Sequence, residues 1–358
     1  MLTQLFNDKA DCMRTKLIGL YAVLVAANVA FERRGCLRAD LNLDGGGIIH
    51  IFNIHLGTAF LAYSFGLRHA FDADHIAAID NVTRKLIQEG RRPIAVGFFF
   101  SLGHSTIVVG LAVAIALTTA ALQSHFDAFK DISGMIGTSV SAMFLFAIAA
   151  ANILVLMSVY RAFVRLKKGD RVTDADVDHL LAGRGFLARL LRPVFMLIER
   201  SWHMYPLGVL FGLGFDTATE VGLLGISAAQ ASQGLSIWSI LVFPALFTAG
   251  MLLMDTTDST LMVGAYGWAF VNPIRKLYYN MTITFVSVVA ALVIGGIEAL
   301  GLIGDKLALQ GPFWDFIGLL SDNFGVVGYA IVAFFIASWI VSFLVYKAKG
   351  YDRLEASA

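Results

Sequence analysis

Apolar residues fall into long uninterrupted runs along this chain, separated by short polar pieces. Runs of about twenty residues are candidates for helices that cross a bilayer. Eight are present, at about 15–32, 52–79, 94–121, 132–160, 204–228, 237–270, 278–301 and 326–346. None alternates at every second residue, as the strands of a closed barrel would, so helices are the only spanning choice left. The pattern predicts an all-α integral membrane protein with about eight transmembrane helices. Composition agrees: 58% of residues are hydrophobic and 15% charged, against about 25% charged in soluble domains. Mean hydropathy is +0.73.

Lysine and arginine set the orientation. With the N-terminus inside, the cytoplasmic pieces carry 21 of them and the outer loops 5, with Arg68 inside a span. This asymmetry predicts that both termini are cytoplasmic. The first run follows Lys9, Arg14 and Lys16 and is read as a retained helix, because no convincing cleavage region follows it. The chain divides into an N-terminal half (1–160), a cytoplasmic linker (161–203), a C-terminal half (204–346) and a tail (347–358), together one membrane transport domain. Within the linker, "RGFLARLLRPVFMLIERSW" is an amphipathic stretch that fits the inner leaflet or a solvated connection. Cys12 and Cys36 flank the first run and are not expected to pair. A net charge of +1 gives no reason to expect a nucleic-acid partner, and no GxxxxGK[ST] loop occurs.

A charged side chain at the bilayer centre costs about 2.5–3.5 kcal/mol. Yet the spans hold Arg68, His69, Asp72, Asp74, His75, Asp80, His104, Asp216, Glu220, Asp255 and Asp258. The summed cost, on the order of ten kcal/mol, is tolerable only if these groups face a polar interior, pair there or bind a charged species. Asp216 and Glu220 share a helix face, as do Asp255 and Asp258. Helix 2 behaves differently. On a straight helix Asp74 lies about 140° from His69, and His75 about 240° from it, so the three do not converge. A break near Gly66–Asp74 is expected, as at the binding sites of transporters. "FDADH" in helix 2 and "FDTATE" in helix 5 run in opposite directions, which suggests an inverted repeat of helices 1–3 and 4–6, with 7 and 8 added.

Imidazole with carboxylate, and no thiolate, suits borderline divalent ions such as Ni²⁺, Co²⁺ or Zn²⁺. Each residue also has a plainer reading. His104 alone is as well explained as a hydrogen-bond donor between helices, Arg68 as a charge partner for Asp72, and Asp80 and Asn81 as a helix end. His69, Asp74 and His75 together resist such readings.

The stretch "RHAFDADH", His69-x4-Asp74-His75, closely resembles the signature of the bacterial nickel/cobalt transporter (NiCoT) family of permeases. "FFFSLGHSTIVV" (98–109), "LGFDTATE" (213–220) and "GMLLMDTTDS" (250–259) resemble that family's further motifs, in order. The resemblance implies high-affinity uptake of Ni²⁺, Co²⁺ or both across the cytoplasmic membrane by a single polypeptide. It implies a substrate metal ion rather than a cofactor, and no ATPase subunit. It assigns metal binding to His69, Asp74 and His75, with support from Asp72, His104, Asp216, Glu220, Asp255 and Asp258.

Rival readings fit less well. A zinc peptidase needs His-Glu-x-x-His, which is absent. A di-iron lipid enzyme needs more histidine than the four within spans. A metal-binding subunit of an ATP-driven importer is expected to carry histidine directly after Met1, where Leu2 stands. A sensor that binds metal without moving it is separated only by flux. Metal binding displaces protons from imidazole, so affinity is expected to fall below about pH 6.5, the reference value for histidine.

Overall fold

The computed structural model describes residues 15–26, 48–117, 123–167, 198–214, 218–232, 237–269 and 273–349. Among them every regular element is helical: α1 (Thr15–Ala26), α2 (Ile48–His69), α3 (Ala73–Gln88), α4 (Val96–Leu117), α5 (Gln123–Lys167), α6 (Met204–Phe211), α7 (Ala218–Ser232), α8 (Ile237–Ile240), α9 (Val242–Ala269), α10 (Pro273–Lys306), α11 (Pro312–Asp322) and α12 (Phe324–Ala348). A short 3₁₀ turn, Ser201–His203, precedes α6.

Among the described residues, five helices are long and apolar enough to cross a membrane: Val96–Ala114, Gly134–Arg161, Ile237–Ala265, Met281–Lys306 and Phe324–Ala348. They match the third, fourth, sixth, seventh and eighth runs read from the sequence. The first run is described only as the short helix Thr15–Ala26. The second is divided between α2 and α3, as expected from the angular argument, and the fifth is divided between α6 and α7, which was not expected. Most of the amphipathic part of the linker, 184–197, lies outside the described residues, its last residues lead into the Ser201–His203 turn, and α5 continues past position 161 to Lys167.

The break between α2 and α3 is made by tertiary packing. No glycine or proline occupies 69–73. Phe71 N–H donates to the Arg68 carbonyl (3.0 Å) and Asp72 N–H to that of His69 (2.8 Å), so the helix tightens and stops. Asp72 then turns extended (φ −63°, ψ 142°) at the N-cap of α3, but its side chain makes no capping bond there. The last helix holds the turn in place. A Cβ at Gly328 of α12 would overlap the Phe71 carbonyl, and one at Gly325 would press on the Asp72 carboxylate.

Similar close approaches join the other helices around this point. A side chain at Gly66 would collide with the Phe247 backbone of α9, and one at Gly103 with the Tyr205 carbonyl of α6. Lipid tails are as apolar as the side chains, so helix association in a membrane depends on such backbone proximity and on polar bonds. Ala73, Ile76 and Ala77 of α3 pack in the same way on Ala290, Ala291 and Ile294 of α10.

Farther along α3 the structure differs from the expectation that Asp80 and Asn81 mark a helix end. The helix runs on to Gln88, and Asp80 through Lys85 are buried. Ser287 donates to the Asp80 carboxylate. The Asn81 carbonyl oxygen accepts from both Arg84 (2.9 Å) and Asn152 (2.7 Å), and Arg84 also donates to Thr284 (3.1 Å). These bonds tie α3, α5 and α10 together. At the end of α3, burial pulls Lys85 below the usual lysine range and pushes Glu89 up, and the 3.4 Å ion pair between them opposes both shifts.

Filling the α12 contact should unseat the break. Gly328→Val is expected to destabilise the protein by about 1–3 kcal/mol or more, seen as earlier thermal loss of the monodisperse peak in mild detergent. Gly110→Val, where a Cβ meets nothing within 4 Å, should behave as wild type.

Candidate metal site

The break brings two residues together that a straight helix would hold apart. His69 closes α2 and His75 lies in the first turn of α3, and their rings are 4.7 Å apart. His104 of α4 completes the set, with ring centroids 4.8 Å from His69 and 4.9 Å from His75. The three imidazoles form a nearly equilateral triangle, all buried, and one ligand atom from each lies within 4.8 Å of the others. Metal–nitrogen bonds of about 2.0–2.1 Å place ligand nitrogens roughly 3–3.5 Å apart, and the Nε2 atoms of His69 and His104 already lie 3.0 Å apart.

Hydrogen bonds assign the ring tautomers. His69 Nδ1 lies 2.9 Å from Asp72 Oδ2 and 3.2 Å from Thr219 Oγ1. A carboxylate only accepts, so Nδ1 carries the proton and Nε2 presents its lone pair. That Nε2 lies 3.0 Å from His104 Nε2, which also reaches Glu220 Oε1 at 2.8 Å. The His104 proton is therefore shared between the carboxylate and the His69 lone pair. His75 repeats the first arrangement: its Nδ1 lies 3.1 Å from Asp255 Oδ2, and Ser101 donates to the same oxygen. Its Nε2 is buried and has no hydrogen-bond partner, and neither has His104 Nδ1. Unpaired buried nitrogens are costly, and a cation bound there would remove that cost.

Aromatic rings close one side. Phe100 meets His75 edge-on at 4.8 Å, Phe211 packs behind Phe100 at 5.2 Å, and Phe247 lies 5.4 Å from His69. Beside them is a cavity of about 530 Å³, bordered by His69, His104, Arg68, Asp72, Phe211 and Glu298 among others.

The residues singled out from sequence separate into groups. His69, His75 and His104 converge, with Asp72, Glu220 and Asp255 bonded directly to them. Asp74 borders the cavity and is not in the close imidazole group. Asp258 lies one turn beyond Asp255, and its buried Oδ2 has no hydrogen-bond partner. Asp216 lies outside the described residues. Arg68 and Asp72 both border the cavity, but the Asp72 carboxylate is taken by His69. Sequence reasoning missed Ser101, which has no charge to mark it. It also missed Glu298, a carboxylate inside an apolar run whose Oε1 accepts from Ser141 at 2.7 Å.

These features define a helical membrane protein with an enclosed imidazole–carboxylate cluster. Residues 55–345 match the NicO family, described as high-affinity nickel-transport protein, and the chain belongs to that family. It is 56% identical to the high-affinity nickel transport protein of Cupriavidus necator over 345 residues, 96% of this chain and 95% of the other. It is 50% identical to the nickel transporter NixA of Staphylococcus aureus, over 85% of this chain and 88% of that one. It is 43% identical to the cobalt transport protein NhlF of Rhodococcus rhodochrous, over 82% and 83%. No solved structure matches the chain significantly. It is a transport protein of the membrane and not an enzyme.

The outer carboxylates should matter for binding even where they do not ligate. Loss of such a partner typically weakens a metal site by about 10–100-fold. Asp72→Ala is expected to do so for Ni²⁺ in the purified protein, read by equilibrium dialysis, with normal yield of inserted protein. Unchanged binding would show that Asp72 does not set the His69 ring.

Proposed function

We propose that this chain takes up Ni²⁺, Co²⁺ or both across the cytoplasmic membrane as a secondary transporter. The ion loses its water at His69, His75 and His104, with Glu220 and Asp255 balancing its charge and Asp74 on the way in. The observation that carries this reading is the pair of imidazoles held at Nδ1 by carboxylates, which turns both Nε2 lone pairs to the opposite side of the rings and leaves that of His75 without a hydrogen-bond partner. Relatives named for nickel and for cobalt transport support the choice of cargo.

The proposed topology has eight spans in one transport domain, with both termini and the 161–203 linker in the cytoplasm, as the lysine and arginine count supports. The second and fifth spans occupy equivalent places in a 3+3 inverted repeat, and both are divided, which supports the repeat. No ATPase subunit is needed. The membrane potential supplies about 2.3 kcal/mol per charge per 100 mV, so a divalent ion gains roughly 4.6 kcal/mol, on the order of a thousandfold accumulation. A proton gradient is an alternative drive.

Uptake of radiolabelled Ni²⁺ and Co²⁺ at nanomolar metal tests the reading. Cells expressing wild type should accumulate at least one of the ions, and an uncoupler should collapse the accumulation. His69→Ala and His75→Ala should abolish it with insertion intact, while Asp255→Asn should weaken it less. Binding without flux in inserted wild type would favour a sensor.

A further inference from the structure

The cavity that ends on His69 and His104 continues to a rim formed by elements with no part in the imidazole site. Asp305 near the end of α10 and Ser321 and Asp322 at the end of α11 border it. Asp305 and Asp322 are exposed, whereas Glu298 is buried deeper along the wall. Glu298 and Asp305 are seven residues apart on α10, so they share a face about 10 Å apart along the axis. α11 folds back over that end of α10: Gly301 sits against Ser321 and Gly304 against the Trp314 ring. Carboxylates therefore occur from the exposed rim to the imidazoles, at Asp305, Asp322, Glu298, Asp74 and Asp72, with Arg68 as the one lysine or arginine among the described lining residues. At the far end His104, 2% exposed, keeps Nδ1 without a hydrogen-bond partner.

A recess lined by one sign of charge and walled by low-dielectric protein concentrates the opposite sign and raises its rate of arrival. An anionic or neutral solute gains nothing from such a lining, but a hydrated divalent cation does. We propose that the α10–α11 hairpin is the entry wall of the transporter, and that Asp305 and Asp322 form the capture rim for the hydrated metal ion. This rests on the uptake reading and deepens it. On the proposed topology the rim lies on the outer side, and the ion keeps its water there until it reaches the histidines.

The test is initial-rate Ni²⁺ uptake by wild type and the double variant Asp305→Asn/Asp322→Asn at low and high ionic strength. The double variant should show an apparent KM three- to tenfold higher at low salt, with kcat unchanged. The difference should vanish near 1 M salt, where the Debye length is about 3 Å. Equal KM at both ionic strengths, beside an active wild type, overturns the proposal. An inactive wild type instead overturns the uptake reading. A second arm covers misfolding of the double variant: Ser321→Cys labelled with a cationic or an anionic thiol reagent, with labelled wild type as the control for Cys12 and Cys36. The cationic adduct should raise KM and the anionic one lower it. Equal effects of the two, or none, overturn the electrostatic rim.

Discussion

An imidazole whose Nδ1 proton is held by a carboxylate has its Nε2 lone pair fixed on the opposite side of the ring. Here that happens twice, at His69 through Asp72 and at His75 through Asp255. The remaining architecture keeps these two bonds intact where water is scarce. Phe100 and Phe247 pack against His75 and His69, so the His75 lone pair lacks the solvent that would otherwise satisfy it. His104, shared between Glu220 and His69, closes the group with a single proton that a cation can displace.

Holding such a group inside a bilayer is a packing problem. Hydrophobic burial drives helices together weakly in lipid, so contact must come from small residues and polar bonds. Gly66, Gly103 and Gly328 each sit where a side chain would strike a neighbouring backbone. The Asn81–Arg84–Asn152 knot binds the other end of α3 to α5 and α10. Between the two, α3 is clamped at both ends and His75 has little freedom to turn away.

Much of this was legible in the chain, for one physical reason: charge is expensive in lipid. That made His69, His75, His104, Glu220 and Asp255 conspicuous, and the geometry of a straight helix left either a break between His69 and His75 or two stripes with different jobs, of which the structure has the break. The same signal was available at Glu298, and there it was overlooked. The break falls within the expected Gly66–Asp74 stretch, but what makes it was not legible, because Asp72 reads locally as an ordinary N-cap residue while its carboxylate bonds backward to His69. The division of the fifth span has no charge mismatch to announce it. Asp305 and Asp322 look like any loop carboxylates until α11 folds over the end of α10. Sequence also ended a helix near Asp80, since buried arginine and lysine are uncommon, whereas neutral partners, Thr284 on α10 and Asn81 on α3 itself, accommodate Arg84.

The contact between Gly328 and the Phe71 carbonyl joins the last span to the second. A chain emerging from a ribosome carries His69, His75 and His104 into the membrane long before that glycine exists. The turn that gathers the histidines thus lacks its support until synthesis is almost finished. On the proposed function, metal competence arrives late, as a property of the completed chain, and a half-made protein has little means of sequestering or leaking the ion.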